Sequence, residues 1–210
     1  MADWHRKWEL VKVDGTHYRS LWWNAEKHAL QIIDQRWLPH EFRVQQLDTL
    51  EDFANAIVEM RVRGAPLIGA TAAYGMAEAM ADDPSDANLH ATWDVLHDTR
   101  PTAINLRWAL DAMRSHLLPL SPADRAVAAF CKAAEICDDD VETNRMIGVH
   151  GLEIIRQIAA KKPAGEPVRL LTHCNAGWPA TVDWGTATSP MYHAHDAGLP
   201  IHVFVDETRP

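Results

Sequence analysis

Three residues join a reactive side chain to a backbone setting that favours chemistry: Cys174, Arg63 and Arg100. Cys174 lies in Thr172-His173-Cys174-Asn175-Ala176-Gly177, between a short apolar run at Val168 to Leu171 and Pro179, a residue suited to the first position of a helix. Read as strand, turn and helix, this order sets the thiol beside backbone N–H groups that a helix start leaves unpaired, where a thiolate is stabilised. The carboxyl ends of strands in open α/β sheets are also where ligands settle. A buried, inert cysteine acting as a small hydrophobe is the competing reading, and the polar neighbours His173 and Asn175 leave both open. Arg63 precedes Gly64, which permits a positive φ, and Pro66, which fits a first helical turn; free N–H groups there favour an anion such as phosphate. Arg100 precedes Pro101 in the same way and is the second candidate anion contact. An arginine ahead of a proline-started helix is also, on its own, an ordinary solvated charge.

The elements that must position these residues follow from the periodicity. The first fifty residues alternate apolar and polar positions in Ser20 to Asn24, His28 to Asp34 and Glu41 to Leu47, with turn-like spacers, and predict a small antiparallel sheet. Trp4, Trp8, Trp22, Trp23 and Trp37 are expected to pack that sheet rather than to line a ligand site. From Thr49 the period becomes 3.6, with Leu50, Phe53, Ala54, Ile57, Val58 and Met60 on one face. A helix rich in small residues runs from Pro66 to Met80, a polar loop from Asp82 to Asn88, a helix follows to Arg100, and Pro101 starts the next. Ala123 to about Ala160 reads as one helix carrying Asp140, Asn144, Gly148 and Gly151 on a stripe. The two glycines each weaken a helix by about 0.5–1 kcal/mol relative to Ala, so close approach of a backbone or a ligand is their expected reason. His150, beside that stripe, is expected to be a satisfied structural histidine.

Lys161 to Pro167 is the clearest linker. Beyond it come the strand 168–171, the cysteine turn, a helix over 179–197 kinked at Pro190, and a strand from Ile201 to Val205: one βαβ unit, which expects further parallel strands. The fold class is therefore α/β: a small N-terminal antiparallel sheet with a helical domain over 1–162, then the start of a Rossmann-like parallel unit over 163–210. With the sheet incomplete, Ile201 to Val205 is expected to leave apolar surface bare, and the 210-residue chain alone to associate through its open edge.

Composition narrows the partners. Against 29 Asp and Glu stand 20 Lys and Arg, a formal net charge of −9, which argues against a general nucleic-acid or anionic-membrane binder. The three cysteines, Cys131, Cys137 and Cys174, lack CxxC spacing and read as reduced thiols. The N-terminus is charged from the start and no apolar run approaches 18 residues, so a soluble cytoplasmic protein is expected.

The same residues carry a family resemblance. The hexapeptide Thr172 to Gly177, with Gly185-Thr186-Ala187 and Val205-Asp206-Glu207-Thr208-Arg209-Pro210 after it, resembles the signature of the methylthioribose-1-phosphate isomerases. These belong to a wider family with ribose-1,5-bisphosphate isomerases and the α, β and δ regulatory subunits of translation initiation factor two-B. Arg61-Val62-Arg63-Gly64-Ala65-Pro66-Leu67-Ile68-Gly69, Thr99-Arg100-Pro101-Thr102-Ala103-Ile104-Asn105-Leu106 and the pattern Asn144-Arg145-x-Ile147-Gly148-x-His150-Gly151 match in the same order. The resemblance implies an aldose–ketose isomerase acting on a phosphorylated pentose, with Cys174 catalytic and Arg63, Gly64, Ala65 and Arg100 binding substrate. It implies a homodimer with no cofactor and no metal, and an acidic partner for the cysteine past residue 210, so the 210-residue chain alone is expected to be inactive. Asp206 and Glu207 take structural duty. Two departures qualify the substrate: Trp178-Pro179 stand where the family has Ala-Leu, and Asp183-Trp184 where it has Gly-Tyr. An indole at a pocket rim would alter what is accepted at C5, so 5-deoxyribose 1-phosphate, ribose 1,5-bisphosphate and a non-catalytic regulatory role are the alternatives.

Overall fold

Short apolar runs separated by turn-like spacers in the first fifty residues produce strands, and the described residues, 11–24 and 26–206 of a computed structural model, begin with them. Trp4, Trp8 and Glu207 lie outside the described residues. A two-residue ladder, β1 (Lys12–Val13) with β2 (Thr16–His17), turns at Asp14-Gly15. Then β3 (Leu21–Asn24), β4 (Ala29–Ile33) and β5 (Val44–Leu47) form an antiparallel sheet in the order β3-β4-β5, with Leu21 opposite Ile32 and Ile33 opposite Val44. The central strand β4 is buried throughout, the sheet lying against helices. Of the five N-terminal tryptophans, the three described ones pack as expected: Trp22 against Tyr18, Trp23 edge-on to Phe130, and Trp37 under the Arg43 guanidinium.

Thr49 and Asp52 form a reciprocal cap that starts α1 (Leu50–Val58), whose buried face is Phe53, Ala56 and Ile57. Val58 and Met60 are exposed rather than on that face; the helix has ended by Met60, which sits at φ +56°. The core is organised around α2 (Ala65–Asp82), buried on nearly every side because its small residues let neighbours approach. A Cβ at Gly69 would lie 2.9 Å from the Asn105 carbonyl oxygen, which measures how closely α4 (Ile104–Leu117) crosses it. Between them runs α3 (Asp86–Asp98), opened by Ser85. The chain makes a turn through Pro101 and Thr102 before α4, so Pro101 is not a first helical residue: Ala103 N–H already closes a turn on the Arg100 carbonyl at 2.9 Å.

The 38-residue α5 (Pro122–Ala159) joins two apolar clusters. Its first half enters the main core through Ala129, Ala133, Ile136 and Cys137; its second half contributes Leu152 and Ile155 to a small cluster with Val168 and Ala194. The parallel pair β6 (Val168–Thr172) and β7 (Ile201–Val205) is connected through α6 (Ser189–Asp196), with Val168 opposite Ile201. α6 accounts for the glycine stripe. A Cβ at Gly148 would stand 2.3 Å from Ser189 Oγ and one at Gly151 2.5 Å from Pro190 Cγ, so the close approach is that of a helix. The opposite face of the pair is open, with the neighbours Leu171 71% and Phe204 49% exposed.

The helix expected over 179–197 does not exist as such. Trp178–Ala180 is one 3₁₀ turn, residues 181–188 are irregular, and only then does α6 begin. Two local effects break it. Gly185 adopts φ +74°, and the Thr181 hydroxyl donates to the Asp183 carbonyl (2.8 Å) while accepting the Gly185 N–H (3.0 Å), offering the backbone a non-helical alternative. Pro190 kinks nothing; it occupies the first turn of α6, where its missing N–H costs no hydrogen bond. No helix among the described residues is long and apolar enough to cross a membrane.

Candidate active site

The segment after the cysteine turn is held by four separate parts of the chain. Ser20 N–H donates to the Val182 carbonyl (2.8 Å) and its hydroxyl to the Trp178 carbonyl (3.1 Å). Gln35 Nε2 donates to the Pro179 carbonyl at 2.6 Å, and the Asp140 carboxylate accepts the Val182 N–H at 2.7 Å. Gly64, at φ +103°, brings its backbone against Ala180 so closely that a Cβ would fall 2.3 Å from the Ala180 carbonyl oxygen. The Arg63-Gly64-Ala65 turn and the loop that follows Cys174 are thus packed backbone to backbone, although 116 residues separate Gly64 from Ala180 in sequence. Further along, Gly185 lies on Gly177, and the Ala176 carbonyl accepts from Ala187 N–H (3.1 Å) and the Thr186 hydroxyl (3.3 Å), folding the second glycine motif onto the first.

Cys174 itself is exposed, at φ +69°, and its carbonyl accepts the Ala176 N–H at 3.0 Å. The thiol therefore stands on a left-handed turn and not at a helix start, because the nearest regular helix opens only at Ser189. Such conformations cost a non-glycine residue about 1–3 kcal/mol and gather at functional positions. Cys131 is exposed too, whereas burial pushes the Cys137 thiol up to about 12. Iodoacetamide applied to the native protein at mildly alkaline pH should label Cys131 and Cys174 and spare Cys137. Peptide mapping that found Cys137 labelled at the same rate would contradict this packing.

Arg63 and Arg100 are exposed and form no ion pair among the described residues. Arg63 borders a depression of about 390 Å³ with Gln35, Arg36, His40 and Glu59. Arg100 sits on the turn before α4. A second cleft, of about 420 Å³, takes a contribution from every upstream motif. Pro66 and Gly69 come from the first motif, Asn105 from the second, Asn144 from α5, and Thr186 from the second glycine motif; Trp108 and Ile147 add exposed apolar walls. Arg63, Arg100 and Cys174 do not line it. Asn105 and Thr186 stand inside the quoted motifs but carry neither a charge nor a thiol, the signals by which Arg63, Arg100 and Cys174 stand out in the sequence.

Electrostatically the cleft is acidic, through Asp139 and Asp140. Burial pushes the Asp140 carboxyl above the ordinary carboxylate range, against the hydrogen bonds from Val182 N–H and Asn144, and the nearby Asp183 charge adds to the rise. Asp183 is buried, with His17 Nε2 2.7 Å from its carboxylate. The indoles of Trp178 and Trp184 are in the interior, Trp184 only 1% exposed and packed on the His193 ring, so neither forms a pocket rim as the sequence suggested. His150 is exposed on α5 rather than a satisfied interior histidine.

Residues 61–210 match the sequence model of the Initiation factor 2 subunit family. The chain belongs to that family. Its relatives include a methylthioribose-1-phosphate isomerase of Rhizobium meliloti strain 1021, 64% identical over 200 residues, covering 95% of this chain and 55% of the relative. A protein of the same name from Cereibacter sphaeroides is 65% identical over 200 residues, with 95% and 54% covered. The fold is shared with 5-methylthioribose 1-phosphate isomerase of Pyrococcus horikoshii (TM-score 0.77, 33% identity, 91% of this chain and 53% of that one). It is shared equally with translation initiation factor eIF-2B subunit delta of A. fulgidus (TM-score 0.77, 35% identity, 91% and 55%). The chain spans about half the length of the curated relatives it matches.

Proposed function

We propose that this chain forms the substrate-gripping half of an isomerase that converts 5-methylthioribose 1-phosphate to 5-methylthioribulose 1-phosphate, a step of methionine salvage. The observation that carries the reading is the meeting of the first, second, α5 and Gly185-Thr186-Ala187 motifs around one cleft. The shared fold serves an enzyme and an initiation-factor subunit alike, so it does not choose between them; relatives at 64–65% identity carrying the isomerase name favour the enzyme.

A phosphate on C1 blocks spontaneous opening of the sugar ring. The reaction therefore needs a proton delivered to the ring oxygen and then a hydrogen moved from C2 to C1, in a site that excludes water. We assign the phosphate to Arg63, Arg100 and the backbone of Gly64 and Ala65, and proton handling or transition-state stabilisation to Cys174. Asp140 is a poor acid for this step because its two carboxylate oxygens already accept hydrogen bonds from Val182 and Asn144. The acidic partner that the resemblance calls for belongs past residue 210. The reading further comprises a cytoplasmic homodimer that uses no cofactor, divided at 162/163, with 5-deoxyribose 1-phosphate and ribose 1,5-bisphosphate as the alternative substrates.

The test joins residues 1–210 to the remaining part of the R. meliloti relative and follows ketose formation from each sugar phosphate. Turnover of 5-methylthioribose 1-phosphate above the others is expected; no turnover of any of them would favour the regulatory role. In that chimera Arg63→Ala and Arg100→Ala should each weaken substrate binding by about 1.5–3 kcal/mol, the range for hydrogen bonds to a charged group. Unchanged affinity in a folded variant would remove the anion assignment.

A further inference from the structure

The amide of Asn144 is fixed in one orientation and half used. Its nitrogen donates to the Asp140 carbonyl at 2.8 Å and to Asp140 Oδ1 at 3.0 Å, both acceptors, so the other amide atom must be the oxygen. Asn144 is only 2% exposed, and its Oδ1 has no hydrogen-bond partner among the described residues. A buried carbonyl without a donor is a standing cost, and a ligand O–H can remove it. Asn144 lines the cleft, and so do the hydroxyl-bearing Thr143 and Thr186. Trp108, 57% exposed, supplies an aromatic wall at the same cleft.

Charge decides which part of a sugar phosphate belongs there. Asp139 and Asp140 repel a phosphate group, and Arg63 and Arg100 lie off the cleft wall. We infer that the cleft receives the neutral, hydroxyl-bearing part of a pentose, its vicinal diol donating to Asn144 Oδ1 and the Asp140 carboxylate while the C–H face of the ring rests on Trp108. A planar pattern of acceptors beside an aromatic wall suits a furanose, which is polar at its edge and apolar on its face. Asn144 is then a substrate-binding residue held in place by Asp140. The identity of the pentose rests on the isomerase reading; the diol recognition does not.

The experiment uses the 210-residue chain and two stable neutral probes, methyl β-D-ribofuranoside and its 2,3-dideoxy counterpart, with inorganic phosphate as the third. Heteronuclear NMR follows the Asn144 side-chain amide and the Trp108 indole N–H. The ribofuranoside should saturate both signals, binding at least about 30-fold more tightly than the dideoxy sugar, the gain of one neutral hydrogen bond and one to a carboxylate; phosphate should move neither. Asn144→Leu should reduce the preference for the diol severalfold, leaving what the Asp140 carboxylate supplies. Because that substitution lies in the interior, Trp108→Ala at an exposed position serves as the second variant, weakening both sugars together without loss of fold. Equal affinity of the unmodified chain for the two sugars, or no saturable shift at either signal, overturns the inference. Diol-selective binding without turnover in the chimera would remove the isomerase reading and keep the cleft assignment. Turnover with diol-blind binding would do the reverse.

Discussion

Gly64→Ala is expected to destabilise the protein by on the order of 4 kcal/mol, at the severe end for a single substitution. Two costs add. At φ +103° and ψ +135°, Gly64 lies in a region that L side chains rarely adopt. The new Cβ would also sit 2.3 Å from the Ala180 carbonyl oxygen and 2.4 Å from its Cα, and both are backbone atoms that no rotamer change can move aside. Gly198→Ala is the control for a positive φ without a steric clash, since Gly198 is at φ +70° with nothing within 4 Å of its Cβ, and should lose only about 1 kcal/mol. Urea unfolding of the two variants measures the difference. Similar midpoints for both would mean that the Arg63-Gly64-Ala65 turn is not locked against the loop after Cys174.

Cys174→Ala in the full-length chimera should lower turnover by roughly 10²–10⁴, the range for a positioned proton-transfer group. The thiol is exposed, so the substitution should change stability by no more than about 0.5 kcal/mol, and lost turnover is then lost chemistry rather than lost fold. Measuring turnover and the unfolding midpoint on the same preparation separates the two. Wild-type turnover in the alanine variant would return Cys174 to the status of an ordinary turn residue.

How legible these features are in the sequence depends on the range of the force that creates them. The long helix α5 announces itself because its periodicity is the direct imprint of one buried face, whereas β4 and α2, buried on nearly every side, announce themselves as a short apolar run and a run of small residues. The stripe Gly148–Gly151 was readable as a close approach, though not that α6 makes it. Residues 179–188 read as helix in the sequence because Pro179 has the right chemistry for a first helical position, while the bonds that prevent a helix, Thr181 to Asp183 and Gly185, depend on a backbone already bent by the contacts of Ser20, Gln35 and Asp140. The cleft was illegible for a similar reason. Asn105, Asn144 and Thr186 come from three stretches of chain, and nothing local says that they meet.

The unbroken length of α5 has a mechanical meaning. At 38 residues it is a rod of about 57 Å whose near end is clamped in the main core and whose far end carries the parallel strands. Any rotation of the strand pair must flex this lever, and its weakest point is the Gly148–Gly151 stretch, on which α6 is seated like a splint. The twelve residues from Gly148 to the end of the helix are an arm of about 18 Å, so a bend of about 10° there would carry its tip by about 3 Å. A load on β6 and β7 is thereby delivered one turn beyond Asn144, at the edge of the cleft.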